Sequence, residues 1–376
     1  MKKIAIIGAG ISGLYLANLL EKKKDCEYKI FEKRSEINLE EGYGIQLSVN
    51  SIKLLNKIGF KNLPAHDLSY PKKVNFIDAK NNNKICDIDI SKFNDETNYY
   101  TTLKRKTLIK FFLDNIPDIK IKYNVELKEV EYNEKLNVHF SNKTNEIFDY
   151  LVASDGVFSN TKSIIAKKPI FPKYFKSLAL RGNINNYESP DISIFMGSNF
   201  HFVIYPINQN KEYNFICIIR KNLSKNQLLD KKLFKNNVFL KSIISTINQN
   251  SFLDLESNLE NIKVFPIYIS EKIENINKKN IFFSGDALFS FPPSFAQGAS
   301  QSIETSNDLF ENITNNNDKF YKERINKIKS VNWRSKLNHF AFHLENPISI
   351  FIRNACLKYV TKNEKFLKNY LGKIYK

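Results

Sequence analysis

The feature that most constrains this chain lies in its first thirteen residues. Lys3 to Ile7 is a short, β-branched apolar run, the pattern of a strand buried in a parallel sheet. It leads into Gly8-Ala9-Gly10-Ile11-Ser12-Gly13, and Ile11 to Lys23 then has helical spacing, with Leu14, Ala17 and Leu20 on one face. Tyr28 to Phe31 reads as a second strand, ending at Glu32, 19 residues after Gly13. Strand, glycine turn, helix and strand in this order are what a doubly wound α/β sheet requires. The three glycines have separate physical tasks. Gly8 permits a tight turn, Gly10 lets the backbone approach a pyrophosphate, and Gly13 lets the helix pack closely on the strand. The N–H groups that open the helix at Ile11 and Ser12 offer donors and a positive dipole end to phosphate. A carboxylate at Glu32 can accept from a ribose diol. Lys33 and Arg34 follow it, and Arg34 can stack over or edge onto an adenine.

The 376 residues suffice for one large core or two domains sharing an interface. A formal net charge of +18 raises a polyanionic partner, nucleic acid or an anionic membrane. Its lysines run along the whole chain without a block of five or six like charges, so a compositional drift of Lys together with Asn and Ile accounts for most of it. No nucleic-acid recognition motif is present. Cys26, Cys86, Cys217 and Cys356 lie far apart with no CxxC pair, which points to reduced thiols of a cytoplasmic protein and to no metal site. The apolar start is interrupted by glycines and followed by no cleavage signal. No segment reaches ~18 continuous apolar residues, so neither a signal peptide nor a membrane span is expected.

Further along, Val49 to Ile58 reads as a helix ended by Gly59, and residues 72 to 100 as a hairpin with its turn at Asn81 to Asn83. A helix is expected over Lys106 to Asn115, and strands over Ile119 to Tyr123, Leu136 to Phe140 and Tyr150 to Ala153, the last returning to the first sheet. Leu178–Ile184, Ile192–Met196, Phe202–Pro206 and Tyr213–Arg220 are alternating runs between Asn-rich turns, the mark of an antiparallel sheet. Ile281 to Ser284 is again a buried strand, a helix follows from about Ala299, and the tail from Asp318 is helical with a break at Pro347. The expected organisation is a discontinuous nucleotide-binding domain (1–70, 101–175 and 262–345), an inserted, mostly antiparallel β-sheet domain (71–100 and 176–261), and a C-terminal helical tail (346–376).

Three later stretches add chemistry to the glycine motif. They are Leu151-Val152-Ala153-Ser154-Asp155-Gly156, then Ser284-Gly285-Asp286-Ala287, then Phe291-Pro292-Pro293-Ser294-Phe295-Ala296-Gln297-Gly298-Ala299-Ser300. With the N-terminal motif they stand in the order and spacing of the class A flavin-dependent monooxygenases, and residues 1 to about 345 resemble the para-hydroxybenzoate and ubiquinone-biosynthesis hydroxylase superfamily. The resemblance implies a discontinuous Rossmann-like domain that binds FAD. It implies that Asp286, presented by Gly285, accepts from the ribityl hydroxyls, that Arg105 lies near the phosphates, and that Val125 lies at the cofactor. It implies that Asp155 and Gly156 help hold FAD, that Pro293 lies beside the flavin ring, and that N–H groups around Gly298, Ala299 and Ser300 face the flavin's pyrimidine edge. The family's common His after GDA is Leu288 here, its Arg closing the DG motif is Lys162, and its glycine before the QG pair is replaced by Phe295-Ala296.

The activity so implied is an NAD(P)H-dependent monooxygenase, with the nicotinamide a transient visitor, since no second glycine-rich loop is present. It would hydroxylate or epoxidise an aromatic or conjugated small molecule with O2 through a flavin C4a-hydroperoxide. Candidate groups beside the substrate are Pro293, Gln46, Tyr205, His201 and Arg181. Two alternatives keep the fold: a prenyl or conjugated-bond reductase, and a non-catalytic FAD-binding protein. A flavin halogenase is disfavoured because Trp333 is the only tryptophan. The chain is expected as a monomer or homodimer. Pro347 to Arg353, with Leu357, Tyr359 and several lysines, leaves open a weak peripheral membrane contact by a basic amphipathic helix.

Overall fold

A computed structural model describes residues 1–37, 39, 43–274, 276, 278–315 and 320–375. Lys2–Ile7 runs parallel to Cys26–Glu32 on one side and to Tyr150–Ala153 on the other, with Ile4 opposite Tyr28 and Tyr150. Ile281–Phe283 and Ile121–Tyr123 complete a five-stranded sheet, parallel throughout. A parallel strand needs cover on both faces, and the period-2 alternation of the first strand supplies two cores. Ile4 and Ile6 point into a core with the helices Ile11–Glu21, Arg105–Leu113 and Gly298–Asn315. Ala5 and Ile7 point into another, closed by a three-stranded meander of Leu127–Tyr132, Leu136–Phe140 and Asn145–Phe148.

A second sheet of seven strands runs in the order Leu259–Ile269, Lys173–Ile184, Tyr213–Arg220, Phe200–Pro206, Ile192–Met196, Lys73–Asp78, Lys84–Asp89. Neighbours are antiparallel except Ile192–Met196 with Lys73–Asp78. Alternation again divides labour. Leu178, Leu180, Phe202, Phe215 and Cys217 form a core with the helix Asn237–Asn248. The intervening His201, Val203, Tyr205, Ile216 and Ile218 face a large cavity. Two strands run past the expected domain boundaries at 175/176 and 261/262, because their pairing with each other continues from Lys173 opposite Ile269 to Ile184 opposite Leu259.

Several expected elements are present with small shifts. Val49–Asn56 is helical, and Gly59 takes a left-handed φ of 101° before the next turn. The hairpin is Lys73–Asp78 with Lys84–Asp89. The strand at 121 is shorter than expected, because residues 118–120 form a single 3-10 turn. The helices of residues 225–258 were not anticipated; the first is started by a reciprocal capping box between Ser224 and Gln227. The tail forms a helix Phe320–Phe342 and, after a break, a helix Pro347–Val360 capped by Asn346 with Pro347 in its first turn. Asp318, where tail helicity was expected to begin, lies outside the described residues. Among the described residues no helix is long and apolar enough to cross a membrane.

Candidate active site

The glycines of the turn meet different surroundings. Gly8 has φ 105°, and a Cβ there would stand 2.6 Å from the Ser154 carbonyl oxygen. A Cβ at Gly13 would stand 2.2 Å from the Gly8 carbonyl oxygen and 2.7 Å from Ser154 Oγ. A Cβ at Gly10 would meet nothing within 4 Å, and Gly10 caps the helix without a side-chain hydrogen bond. The first and third glycines therefore serve packing, and the second keeps a face of the turn open. Glu32 braces the turn: its carboxylate accepts from the N–H of Ala9 (2.9 Å) and of Arg34 (3.0 Å). Two oxygens with about four lone-pair sites leave it capacity for a ligand diol. Lys33 and Arg34 are exposed beside it, and the Val125 N–H donates to the Glu32 carbonyl (3.0 Å) while its side chain joins the core. Ile11 is half-buried. Ser12 turns inward, where its hydroxyl meets those of Ser284 (2.6 Å) and Ser306 (2.8 Å). Arg105 opens its helix with its N–H on the Tyr43 carbonyl (2.8 Å).

The second motif supplies acids. Asp155 Oδ2 accepts from the N–H (3.1 Å) and hydroxyl (2.8 Å) of Thr161, whereas its buried Oδ1 has no protein partner among the described residues. Gly156 has φ 82°, and a Cβ there would meet nothing within 4 Å. Lys162 is buried among acids. Burial pushes its ammonium below the usual range, and Asp155, Glu274 and Asp286 oppose that shift. Asp286 sits on the Gly285–Ala287 turn, pressed against Ser12, where a Cβ at Gly285 would stand 3.0 Å from Ser12 Cβ. Its carboxyl is reachable by solvent yet surrounded by protein in the cleft. Desolvation raises it to about 6 against the pull of Lys162.

Beyond Asp286 the chain passes through the one-turn helix Pro293–Phe295, takes a left-handed φ of 50° at Ala296, and enters the helix Gly298–Asn315. A Cβ at Gly298 would again meet nothing within 4 Å. Gly298 and Ala299 line the cavity. Ser300 does not: its buried hydroxyl meets Ser48 (3.1 Å) and Ser51 (2.9 Å), tying the helix start to Val49–Asn56.

FAD fits these residues on three observations. The chain leaves open faces at Gly10, Gly156 and Gly298. Asp155 holds a buried acceptor without a protein partner. Glu32 and Asp286, acceptors suited to sugar and polyol hydroxyls, both stand beside the glycine motif, Glu32 through the Ala9 N–H and Asp286 on the turn packed against Ser12.

The cavity has a volume of about 760 Å³, and Gln46, Arg181, His201, Tyr205 and Pro293 all line it. Four of them cluster with residues the sequence reading passed over. Tyr100 Oη donates to Gln46 Oε1 (2.9 Å), and Gln46 also bonds the Tyr205 hydroxyl. Burial raises both phenols above the ordinary tyrosine range, the Arg181 charge opposing this at Tyr205. Arg181 lies over the Tyr43 ring at 5.6 Å. His201 is a buried part of the cavity wall, its Nδ1 hydrogen-bonded to His343 Nε2 (2.7 Å). His339 meets His343 edge to face, ring centroids 4.1 Å apart, and its Nδ1 lies 3.3 Å from Ser294 Oγ. Burial lowers His201 to about 3 and His339 to about 4, so all three imidazoles stay neutral, His343 being pushed down further. The spacing of His339 and His343, four apart across the end of the helix Phe320–Phe342, was the available signal for this cluster. Among the described residues no side-chain group could hold a metal ion.

The solved structure of a variant of Klebsiella pneumoniae HpxO complexed with FAD superposes with a TM-score of 0.85, at 16% identity, over 100% of this chain and 98% of that one. A salicylate hydroxylase substrate complex gives 0.72 at 14% identity over 100% and 97%. This chain has the class A flavoprotein hydroxylase fold. Within that hydroxylase fold, residues 6–39 match the family model of the NAD(P)-binding Rossmann-like domain. Among curated proteins the chain is 28% identical over 174 residues to the FAD-dependent monooxygenase asqG of Emericella nidulans, covering 44% of this chain and 30% of that protein. It is 23% identical over 225 residues to the 3-amino-4-hydroxybenzoate 2-monooxygenase of Streptomyces cremeus, covering 57% and 56%. The match thus spans about half the length of such relatives, or less.

Proposed function

We propose that this protein is an FAD-dependent monooxygenase that uses NAD(P)H and O2 to hydroxylate or epoxidise an aromatic or conjugated small molecule. One observation carries the reading: Asp286 and the segment Pro293 to Ala299 line the same apolar cavity as Arg181, Tyr205 and Gln46. Bound FAD would supply the redox chemistry, taking a hydride from the nicotinamide and delivering one atom of O2 to the substrate. The chain's own residues bind, orient and exclude. Backbone N–H groups of the Gly8–Gly13 turn hold phosphate, Glu32 and Asp286 hold hydroxyls, and Asp155 offers its spare oxygen. The open helix start at Gly298 favours negative charge facing it.

Within the cavity, Arg181, Tyr205, Gln46 and Tyr100 form the polar group that orients a phenol or acid. The apolar strands Ile192–Met196 and Phe200–Pro206 keep water from the reacting atoms. In this reading residues 1–70, 101–175 and 262–345 serve the cofactor, while 71–100 and 176–261 serve the substrate. Four free cysteines accord with the reducing cytoplasm as its setting.

The test is a panel of phenols and conjugated acids offered to the FAD-loaded protein. The expected result is substrate-stimulated NAD(P)H oxidation with matching O2 uptake. Turnover that proceeds equally well without O2 would refute the monooxygenase assignment in favour of a reductase.

A further inference from the structure

The helix Pro347–Val360 is packed inside out. Ile348, Phe351, Ile352, Ala355, Cys356 and Tyr359 are all exposed, and they fall at i, i+3, i+4, i+7, i+8 and i+11, one continuous apolar stripe. Ile348, Phe351 and Tyr359 are 71%, 74% and 72% exposed. The only buried residue of this helix is a charged one, Arg353, which donates to the Ala341 carbonyl (3.3 Å) and to Asn354 Oδ1. Leu357 packs against Phe76, Met196 and Phe342 and holds the helix to the sheet. The same exposure continues on the neighbouring helix, where Trp333, Leu337 and Phe340 follow at i, i+4 and i+7. Leu337, Phe340 and Ile352 are both exposed and part of the cavity lining, so the stripe runs to the cavity mouth.

The segment that carries these stripes is also the most basic part of the sequence, although Arg324, Arg334 and Arg353 are buried within it. Residues 320–376 carry 13 Lys and Arg against three Asp and Glu, a net +10 of the chain's +18. Lys329, Lys336, Lys358, Lys362, Lys365 and Lys368 are exposed. A large outward apolar patch rimmed by cations has the composition of a surface that lies in the headgroup region of an anionic bilayer.

We propose that the two C-terminal helices dock on an anionic lipid membrane through the Trp333–Phe340 and Ile348–Tyr359 stripes, with the cavity mouth facing the lipid. Under the proposed function, on which this last step rests, the substrate is a lipophile drawn from the bilayer.

The test uses the full chain with vesicles of phosphatidylcholine alone or mixed with phosphatidylglycerol. Cys356 is the only exposed cysteine among the four, and an environment-sensitive fluorophore attached there reports insertion directly. The expected result is co-sedimentation with anionic vesicles, a blue shift of the Cys356 probe, and loss of roughly tenfold or more in partitioning for the double substitution Ile348→Asp with Phe351→Asp. Lys24→Glu, on the turn after the helix Ile11–Glu21, lowers the net charge by the same amount as the double substitution and leaves binding and probe shift unchanged. Unchanged circular dichroism of the double variant shows that its fold is intact. Binding that survives the double variant, a probe that does not shift, or a concentration-dependent dimer abolished by the same two substitutions would each overturn the proposal. None of these measurements needs flavin or turnover, so they stand apart from the assay of the proposed function.

Discussion

Replacing Gly10 and Gly13 separately by alanine distinguishes binding from packing within four residues. The Gly13→Ala methyl would enter to 2.2 Å of the Gly8 carbonyl oxygen and 2.7 Å of Ser154 Oγ. Ser154 cannot yield freely, since its hydroxyl donates to the Ile7 (3.0 Å) and Gly8 (3.1 Å) carbonyls. The helix Ile11–Glu21 must move off the sheet, which also strains the Ser12–Ser284–Ser306 contact. Overpacking against rigid backbone costs at least about 3 kcal/mol, the upper end of the usual range. Gly10 has φ −86° and ψ −177°, extended backbone open to any residue, and its methyl meets nothing within 4 Å. The cost there is that of alanine at a helix N-cap, about 1 kcal/mol or less. Urea denaturation of the flavin-free protein reads these stabilities, and quenching of flavin fluorescence reads FAD affinity. Gly13→Ala is expected to lower stability severely. Gly10→Ala is expected to leave it nearly intact while weakening FAD by roughly tenfold or more, about 1.4 kcal/mol. A Gly10→Ala protein as unstable as Gly13→Ala, or one binding FAD like the parent, would refute the idea of an open phosphate cradle at Gly10.

Other expectations follow from the acids, the imidazoles and a buried ion pair. Asp286, raised to about 6, is expected to make FAD affinity fall as pH drops through 6 and its carboxylate is protonated; fluorescence titration between pH 5 and 8 should show Asp286→Asn without that dependence. His201 and His339 are depressed to about 3 and 4 in the fold, below an ordinary 6.5, so the stability they contribute is fully present above pH 6.5 and is lost as pH falls toward 4 and 3. Each such histidine adds a slope of about 1.4 kcal/mol per pH unit, and His339→Asn should reduce the slope of urea stability between pH 4.5 and 6.5 by about that amount. Arg324 is buried against Glu304 (3.0 Å) and Asp308, and Arg324→Met should cost about 3–5 kcal/mol in urea unfolding, part of it regained with Glu304→Gln.

The parallel sheet was legible because its signals are local. A β-branched run, three glycines and an acid at the end of the next strand lie within the first 32 residues, and each acts on its immediate neighbours. The meander strand Leu127–Tyr132 was missed because only Leu127 of its six residues is buried, leaving no alternation to read. The pairing of His201 with His343 joins residues 142 apart, a distance that no periodicity spans. Gln46, Arg181, His201, Tyr205 and Pro293 were named from separate segments, and they line one cavity because the seven-stranded sheet, the strand Gly44–Leu47 and the Pro293–Ala299 segment meet there. The tail was read as amphipathic, but which side of it faces outward depends on the burial of Arg353, visible only in three dimensions. Likewise an even spread of lysine along the chain concealed that acids thin out after residue 320.

The three hydroxyls of Ser12, Ser284 and Ser306 also set a timetable. Ser12 and Ser306 are 294 positions apart, and the strand that leads into Ser284 belongs to the same sheet as the first strand of the chain. At 5–20 residues per second, a ribosome needs roughly 15 to 60 s to deliver the last partner after the first has emerged. Until residue 153 has emerged the leading strand lacks its second neighbour on the sheet, and throughout the interval the leading strand and helix are without the helix Gly298–Asn315 that covers them. The cradle at the N-terminus is therefore among the last parts of the nascent chain to become competent for its ligand, and a message truncated before residue 306 would yield a protein that carries the glycine motif and cannot close it.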